Sequence, residues 1–261
     1  MEFTMIRLEK VESVATITLN RPEKMNTFTA AMLSELATVL EDVALDDSIR
    51  AVIFTGEGRA FCAGADLKET QGIQKELPEN RDIFKLLNRV VLAIRQAPKP
   101  FVAAVNGVAA GGGANLVLAC DIIVASEKAR MAENFINVGL VPDGGGTYFL
   151  TERIGYHRAA EIFFTGKILD AQEALNLGLY NRVVPPEEVV NTARELAEEL
   201  AAKAPIALAA DKALLNREVI PRLRSCLEDE TRNQRAMMGT QDFIEGVTAF
   251  IEKRKPKFTG K

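Results

Sequence analysis

The sequence predicts an α/β protein that finishes in a purely helical region. Two observations lead there. Short apolar runs rich in β-branched residues alternate with stretches of helical spacing as far as about residue 185, the pattern of strands layered with helices. From about residue 187 the strand-like runs stop, and every segment repeats its apolar residues three and four apart.

The elements follow in order. Residues 5–9 and 13–19 alternate or run apolar and are expected to be strands. A helix is predicted over about 28–46, ending in ATVLEDVALDD. RAVIFTGEG, PFVAAVNGVAAGGG and CDIIVAS each read as a buried strand closed by glycine or polar residues, with helices over about 81–97 and 112–119 between them. IGYHRAAEIFF reads as the start of a helix. The helical stretches EEVVNTARELAEELAAKAP, IALAADKALLNRE, RLRSCLEDETRNQRAMM and QDFIEGVTAFIEKR complete the chain. Residues 1–190 are therefore expected to form the core and residues 191–261 a helical region. That region is too small to hold a core alone, so it should pack on the rest or on another subunit.

Composition narrows the function. The chain has 261 residues, 48% hydrophobic and 26% charged, with a net charge of −4. A mildly acidic chain is a poor match for nucleic-acid phosphates, and no apolar run is long enough for a membrane span. The opening MEFTMIRLEKV lacks the apolar stretch of a secretion signal. Cys62, Cys120 and Cys226 are few and scattered, which indicates free thiols in a reducing compartment, with the cytoplasm expected. The single histidine, His157, rules out a histidine-rich metal site and reads as a solvated or capping residue. The basic end KRKPKFTGK reads first as a solvated tail.

Three glycine-rich segments carry the chemistry: AFCAGADLK at 60–68, NGVAAGGGAN at 106–115 and GLVPDGGGT at 139–147. Two such turns at strand ends can each aim a backbone N–H at one small anionic atom. That is the physical recipe for an oxyanion hole. Taken alone they serve equally as tight turns. The spacing needed for a dinucleotide site is absent.

LNRPEKMNTF, GRAFCAGADLKE, KPFVAAVNGVAAGGGANLVLACDIIVAS, NVGLVPDGGGTYFL, TGKILDAQEALNLGLYNRVVP and EGVTAFIEKRKPKF resemble, in order and along nearly the whole chain, the signatures of the crotonase (enoyl-CoA hydratase/isomerase) superfamily. The resemblance implies a spiral of ββα units, a helical C-terminal region that builds a homotrimer or homohexamer, and an acyl-CoA thioester as substrate. Coenzyme A then arrives as part of the substrate, with no resident cofactor and no metal. The oxyanion donors fall on the N–H groups of Ala65 and Gly112. Ala63, Asp66, Leu67 and Lys68 fall on the CoA-binding surface, and Phe250 and Lys253, on the last helix, meet the CoA at a subunit boundary.

The chain departs from the family's hydratases. Their two water-activating glutamates fall on Asn115 and Phe135. Glu133, two positions away, is not given the role. Asp143 is the acid left in place, and VPDGGGT resembles the subgroup that moves double bonds, including the isomerases of phenylacetate degradation. Pattern alone favours Asp143 as a helix cap; the resemblance makes it a proton carrier. An enoyl-CoA isomerase is the first reading. An enoyl-CoA hydratase, including one for cyclic dienoyl-CoAs, and an inactive acyl-CoA-binding subunit stay open.

Overall fold

A computed structural model describes residues 3–66 and 81–261. The chain enters as a hairpin, β1 (Ile6–Val11) antiparallel to β2 (Val14–Leu19). Helix α1 (Ala30–Leu45) follows, its first turn capped by the Thr29 hydroxyl, which accepts from the Met32 N–H. Its apolar stripe, Met32, Leu33, Leu36, Leu40 and Val43, lies in the core. Next come β3 (Ala51–Gly56) and the three-residue β4 (Ala60–Cys62). Helix α2 (Ile83–Gln96) is capped by Asp82, which accepts from the N–H groups of Phe84 and Lys85 and pairs with Arg235.

The expected single strand PFVAAVNGVAA is two: β5 (Phe101–Val105) and β6 (Val108–Ala110), broken at Asn106–Gly107. The Asn106 amide donates to the carbonyls of Gly56 at 2.8 Å and Gly58 at 2.7 Å. It thereby ties the corner after β5 to the corner after β3. Helix α3 (Gly112–Ala119), β7 (Ile122–Ser126) and β8 (Arg130–Ala132) repeat the pattern. Then come α4 (Gly146–Ile154), α5 (Tyr156–Thr165), β9 (Ile168–Asp170), α6 (Ala171–Asn176) and β10 (Arg182–Val184).

Two sheets result. The larger has the order β1-β2-β3-β5-β7-β10, parallel from β2 onward. The smaller has the order β4-β6-β8-β9. Each of β3, β5 and β7 leads directly into a strand of the smaller sheet, so the chain winds as a spiral of strand–strand–helix units.

The helical region joins this core. Helix α7 (Val189–Ala201) buries Val189, Ala193, Leu196 and Ala197 against Ala51, Ile53, Val102, Ala104 and Val124 of the larger sheet. Helix α8 (Pro205–Asn216) is pinned by Lys212, whose ammonium donates to Ile94 O, Lys99 O and the Asp121 carboxylate at 2.7–2.9 Å. A buried ammonium needs such a full set of partners. Helix α9 (Val219–Met238) packs on α2 and α4, and α10 (Gln241–Ile251) follows.

The basic tail folds back on α10. Arg254 pairs with Glu245, and Asp242 accepts from the N–H groups of Thr259 and Gly260. His157 is exposed on α5. No described helix is long and apolar enough to cross a membrane.

Candidate active site

The site forms where adjacent strands of the smaller sheet end. β4 and β6 run parallel, with Cys62 opposite Ala109. Ala65 lies three residues past the end of β4 and Gly112 two past the end of β6, so both emerge on one rim of the sheet. Ala65 is held in a parallel bridge to Phe28: the Phe28 N–H donates to Gly64 O at 2.9 Å and the Asp66 N–H to Phe28 O at 3.0 Å. In that pairing the N–H of Ala65 points away from Phe28. Gly112 opens α3, where the first N–H groups of a helix have no partner within it. Among the described residues neither N–H has an acceptor.

A side chain at Gly112 would force its neighbours to shift. A Cβ there would sit 2.7 Å from Cζ of Phe28 and 3.1 Å from both Oδ1 of Asp143 and Cδ2 of Leu87. The same distances place the Asp143 carboxylate directly against Gly112. The sequence-derived acid and one sequence-derived oxyanion donor are thus neighbours.

Asp143 is not the helix cap that pattern alone favoured. Helix α4 starts after Gly145, which has φ of 87° and no side chain to cap with. The Gly146 N–H goes to the Asp143 main-chain carbonyl at 3.1 Å, and the flanking N–H groups are taken by Glu230, reaching across from α9. Glu230 accepts from the N–H of Gly145 at 2.7 Å, the N–H of Thr147 at 2.9 Å and the Thr147 hydroxyl at 2.6 Å. Among the described residues, Asp143 receives one bond on its carboxylate, from the Gln234 amide at 3.2 Å, and its buried Oδ1 has no donor. Burial, helped by the negative charge of Glu230, lifts the Asp143 carboxyl from 3.8 to about 7. A carboxyl so poised can both take and return a proton near neutral pH.

Asn115 is fully buried on α3, and its amide donates to the main-chain carbonyl of Asp143 at 2.8 Å. It holds the acidic loop, where the family's hydratases place an acid. The Phe135 ring lies 3.2 Å from where Gly111 would carry a Cβ, so an apolar face covers the second hydratase position. Asp66 is bonded by Arg21 at 3.4 Å, and the Ala63 N–H donates to Met25 O. Leu67 and Lys68 lie outside the described residues. Phe250 is 63% exposed on α10, remote in sequence from the carboxylates. Lys253 is not on that helix as expected: the helix ends at Ile251, and Lys253 takes a left-handed φ of 55°.

Glu133, which the sequence assigns no role, is buried. It is 1% exposed, one residue past β8, and neither carboxylate oxygen has a hydrogen-bond partner among the described residues. No period of two marks it in the sequence, since Met131, Ala132 and Glu133 are all buried in succession.

The sequence matches the family described as Enoyl-CoA hydratase/isomerase over residues 9–261. It is 39% identical over 265 residues to the 1,2-epoxyphenylacetyl-CoA isomerase of Escherichia coli K12, with both chains fully covered. It is 37% identical over 256 residues to the short-chain-enoyl-CoA hydratase of Clostridium acetobutylicum, covering 98% of this chain and 97% of that one. The crystal structure of an enoyl-CoA hydratase from Mycobacterium avium subsp. paratuberculosis matches with a TM-score of 0.90 at 32% identity, over 99% of this chain and 100% of that one.

Proposed function

Because the chain belongs to the enoyl-CoA hydratase/isomerase family and has its crotonase fold, we propose that it moves a double bond in an enoyl-CoA. The hydratase/isomerase character is common to its relatives; the choice of isomerisation and the residue roles are the proposal. The N–H groups of Ala65 and Gly112 hold the thioester oxygen. Asp143 removes a proton from the carbon α to the thioester, or from the γ carbon conjugated to it. The electron pair passes into the thioester, giving a dienolate whose oxyanion the two donors stabilise. The same carboxyl then returns the proton at the other carbon, and the double bond has moved.

One observation carries the reading. Asp143 is a buried carboxylate against Gly112, with one oxygen unpartnered and its capping duty taken over by Glu230. The reading needs no metal and no resident cofactor, since coenzyme A enters with the substrate. The assembly that goes with it is a homotrimer or homohexamer, and the compartment is the cytoplasm.

Purified protein offered 3-enoyl-, 2-enoyl- and cyclic dienoyl-CoAs in deuterated water tests it. Double-bond migration with deuterium at the α or γ carbon is expected. Asp143→Asn should cut it by about 10²-fold or more while binding acetyl-CoA as before. The rate should rise with pH through about 7 and then level off, since the base must be ionised to start. Hydration without migration would install the hydratase reading. Binding without any turnover would install the inactive subunit.

A further inference from the structure

Past Cys62 and Ala109, the last pair of the β4–β6 ladder, the two proposed oxyanion donors run on separate pieces of chain. Ala65 lies on the turn after β4, and Gly112 opens α3. An oxyanion hole works when both donors sit about 2.7–3.1 Å from one oxygen atom. The span between them must therefore be held closely by something other than the ladder.

Phe28 meets both donors. Its main chain forms a parallel bridge with Ala65. The Ala63 N–H donates to Met25 O at 3.0 Å, the Phe28 N–H to Gly64 O at 2.9 Å and the Asp66 N–H to Phe28 O at 3.0 Å, so the chain before α1 is tied along the whole turn. The Phe28 ring reaches Gly112. Its Cζ lies 2.7 Å from the point where Gly112 would carry a Cβ, nearer than Leu87 or Asp143. That point is one bond, about 1.5 Å, from the Gly112 Cα, so the ring edge touches the Gly112 backbone. Phe28 is 3% exposed, and the next residue, Thr29, caps α1. A phenyl ring is a rigid spacer that turns about two bonds, and a close-packed interior passes its length on as a position.

We propose that Phe28 is a positioning residue that sets the span between the two oxyanion donors, its main chain holding Ala65 and its ring edge bracing Gly112. The glycine is the other half of this contact, since a Cβ at position 112 would meet the ring before any other side chain.

The inference rests on the reading of Ala65 and Gly112 as oxyanion donors, but it does not need Asp143. It is tested first on acetyl-CoA labelled at the carbonyl carbon, which has no double bond to move or hydrate. Two aligned donors polarise a bound carbonyl and lower its infrared stretching frequency. The band should lie below its position in water when wild type binds the probe. In Phe28→Leu, which stops short of Cζ, it should return at least halfway to that position. Phe28→Met keeps most of the reach and should hold the band near its wild-type place. An unmoved band in Phe28→Leu would overturn the proposal. No shift in wild type would refute the donors themselves and the proposal with them. Failure of Asp143 as the proton carrier would leave the band as it is, so the two failures are told apart.

Turnover gives a second reading. The donors act on charge that develops in the transition state, so Phe28→Leu should lose about tenfold or more in kcat with KM within about twofold, and Phe28→Met should stay within about threefold. A raised KM with unchanged kcat in Phe28→Leu would overturn the role. Joined to Gly112→Ala, whose methyl enters the space the ring edge leaves, Phe28→Leu should give a protein at least as active as Gly112→Ala alone. This pair serves even if Phe28→Leu alone does not fold: a double variant less active than Gly112→Ala would sink the proposed contact.

Discussion

At the scale of single residues, Asp143 is costly to keep. The residue is 8% exposed, and its carboxyl is lifted from 3.8 to about 7. Between those values the folded chain holds the proton more tightly than the unfolded one, so stability falls as pH rises through that window. Above about pH 7 the deficit is constant, on the order of 4 kcal/mol at about 1.4 kcal/mol per pH unit. Asp143→Asn should therefore raise the unfolding temperature at alkaline pH and leave it unchanged below about pH 4, as calorimetry across pH would measure. Gly112→Ala tests the neighbouring donor. Its Cβ would press on Phe28 at 2.7 Å and on Asp143 at 3.1 Å, so activity should fall by about tenfold or more with a stability cost of about 1–3 kcal/mol. Only part of this was legible in the sequence. The roles proposed for Ala65 and Gly112 belong to their backbones, and their side chains carry no trace of them. That the Asp143 side chain does not cap α4 follows from Glu230, which accepts the N–H groups there and which no local pattern connects to Asp143.

At the scale of elements, α9 organises the acidic loop. Glu230 supplies the cap for α4, and Gln234 bonds both the Val141 N–H and the Asp143 carboxylate. Glu230→Ala should cost about 1–3 kcal/mol in denaturant unfolding, because it strands two N–H groups and a hydroxyl. Glu230→Gln keeps much of the bonding and removes the charge that raises the Asp143 carboxyl. The rising limb of its pH–rate profile should move below about pH 7. The long elements were readable: α1, α2 and α3 fall where helical spacing put them, and the larger sheet's apolar runs announce themselves. The smaller sheet was not, since β4, β6, β8 and β9 have three residues each, too few to show a period of two. Their existence depends on corners such as Asn106–Gly107, where side-chain bonds to distant carbonyls redirect the chain.

At the scale of the molecule, the surface left open by the helical region is apolar in places. Ile206, Leu214 and Leu215 on α8 are 69–86% exposed, and Ile244 and Phe250 on α10 are more than half exposed. Large side chains gathered on surface helices mark an interaction face. Light scattering at micromolar protein should give the mass of a trimer or hexamer, and a monomeric mass would contradict the assembly proposed here. Leu214→Glu paired with Leu215→Glu should lower the assembled fraction without unfolding the chain, since neither residue belongs to the core.

The bond from Glu230 to the turn at Gly145 joins positions 85 apart in the chain. During translation both sheets and the rim bearing Ala65 and Gly112 leave the ribosome well before α9 does. A nascent chain can thus shape the pocket proposed for the thioester oxygen while its acidic loop still lacks Glu230 and Gln234. On the proposed mechanism, proton transfer waits for α9 to dock, so the acid at the site is set only after the sheets that hold the oxygen are made.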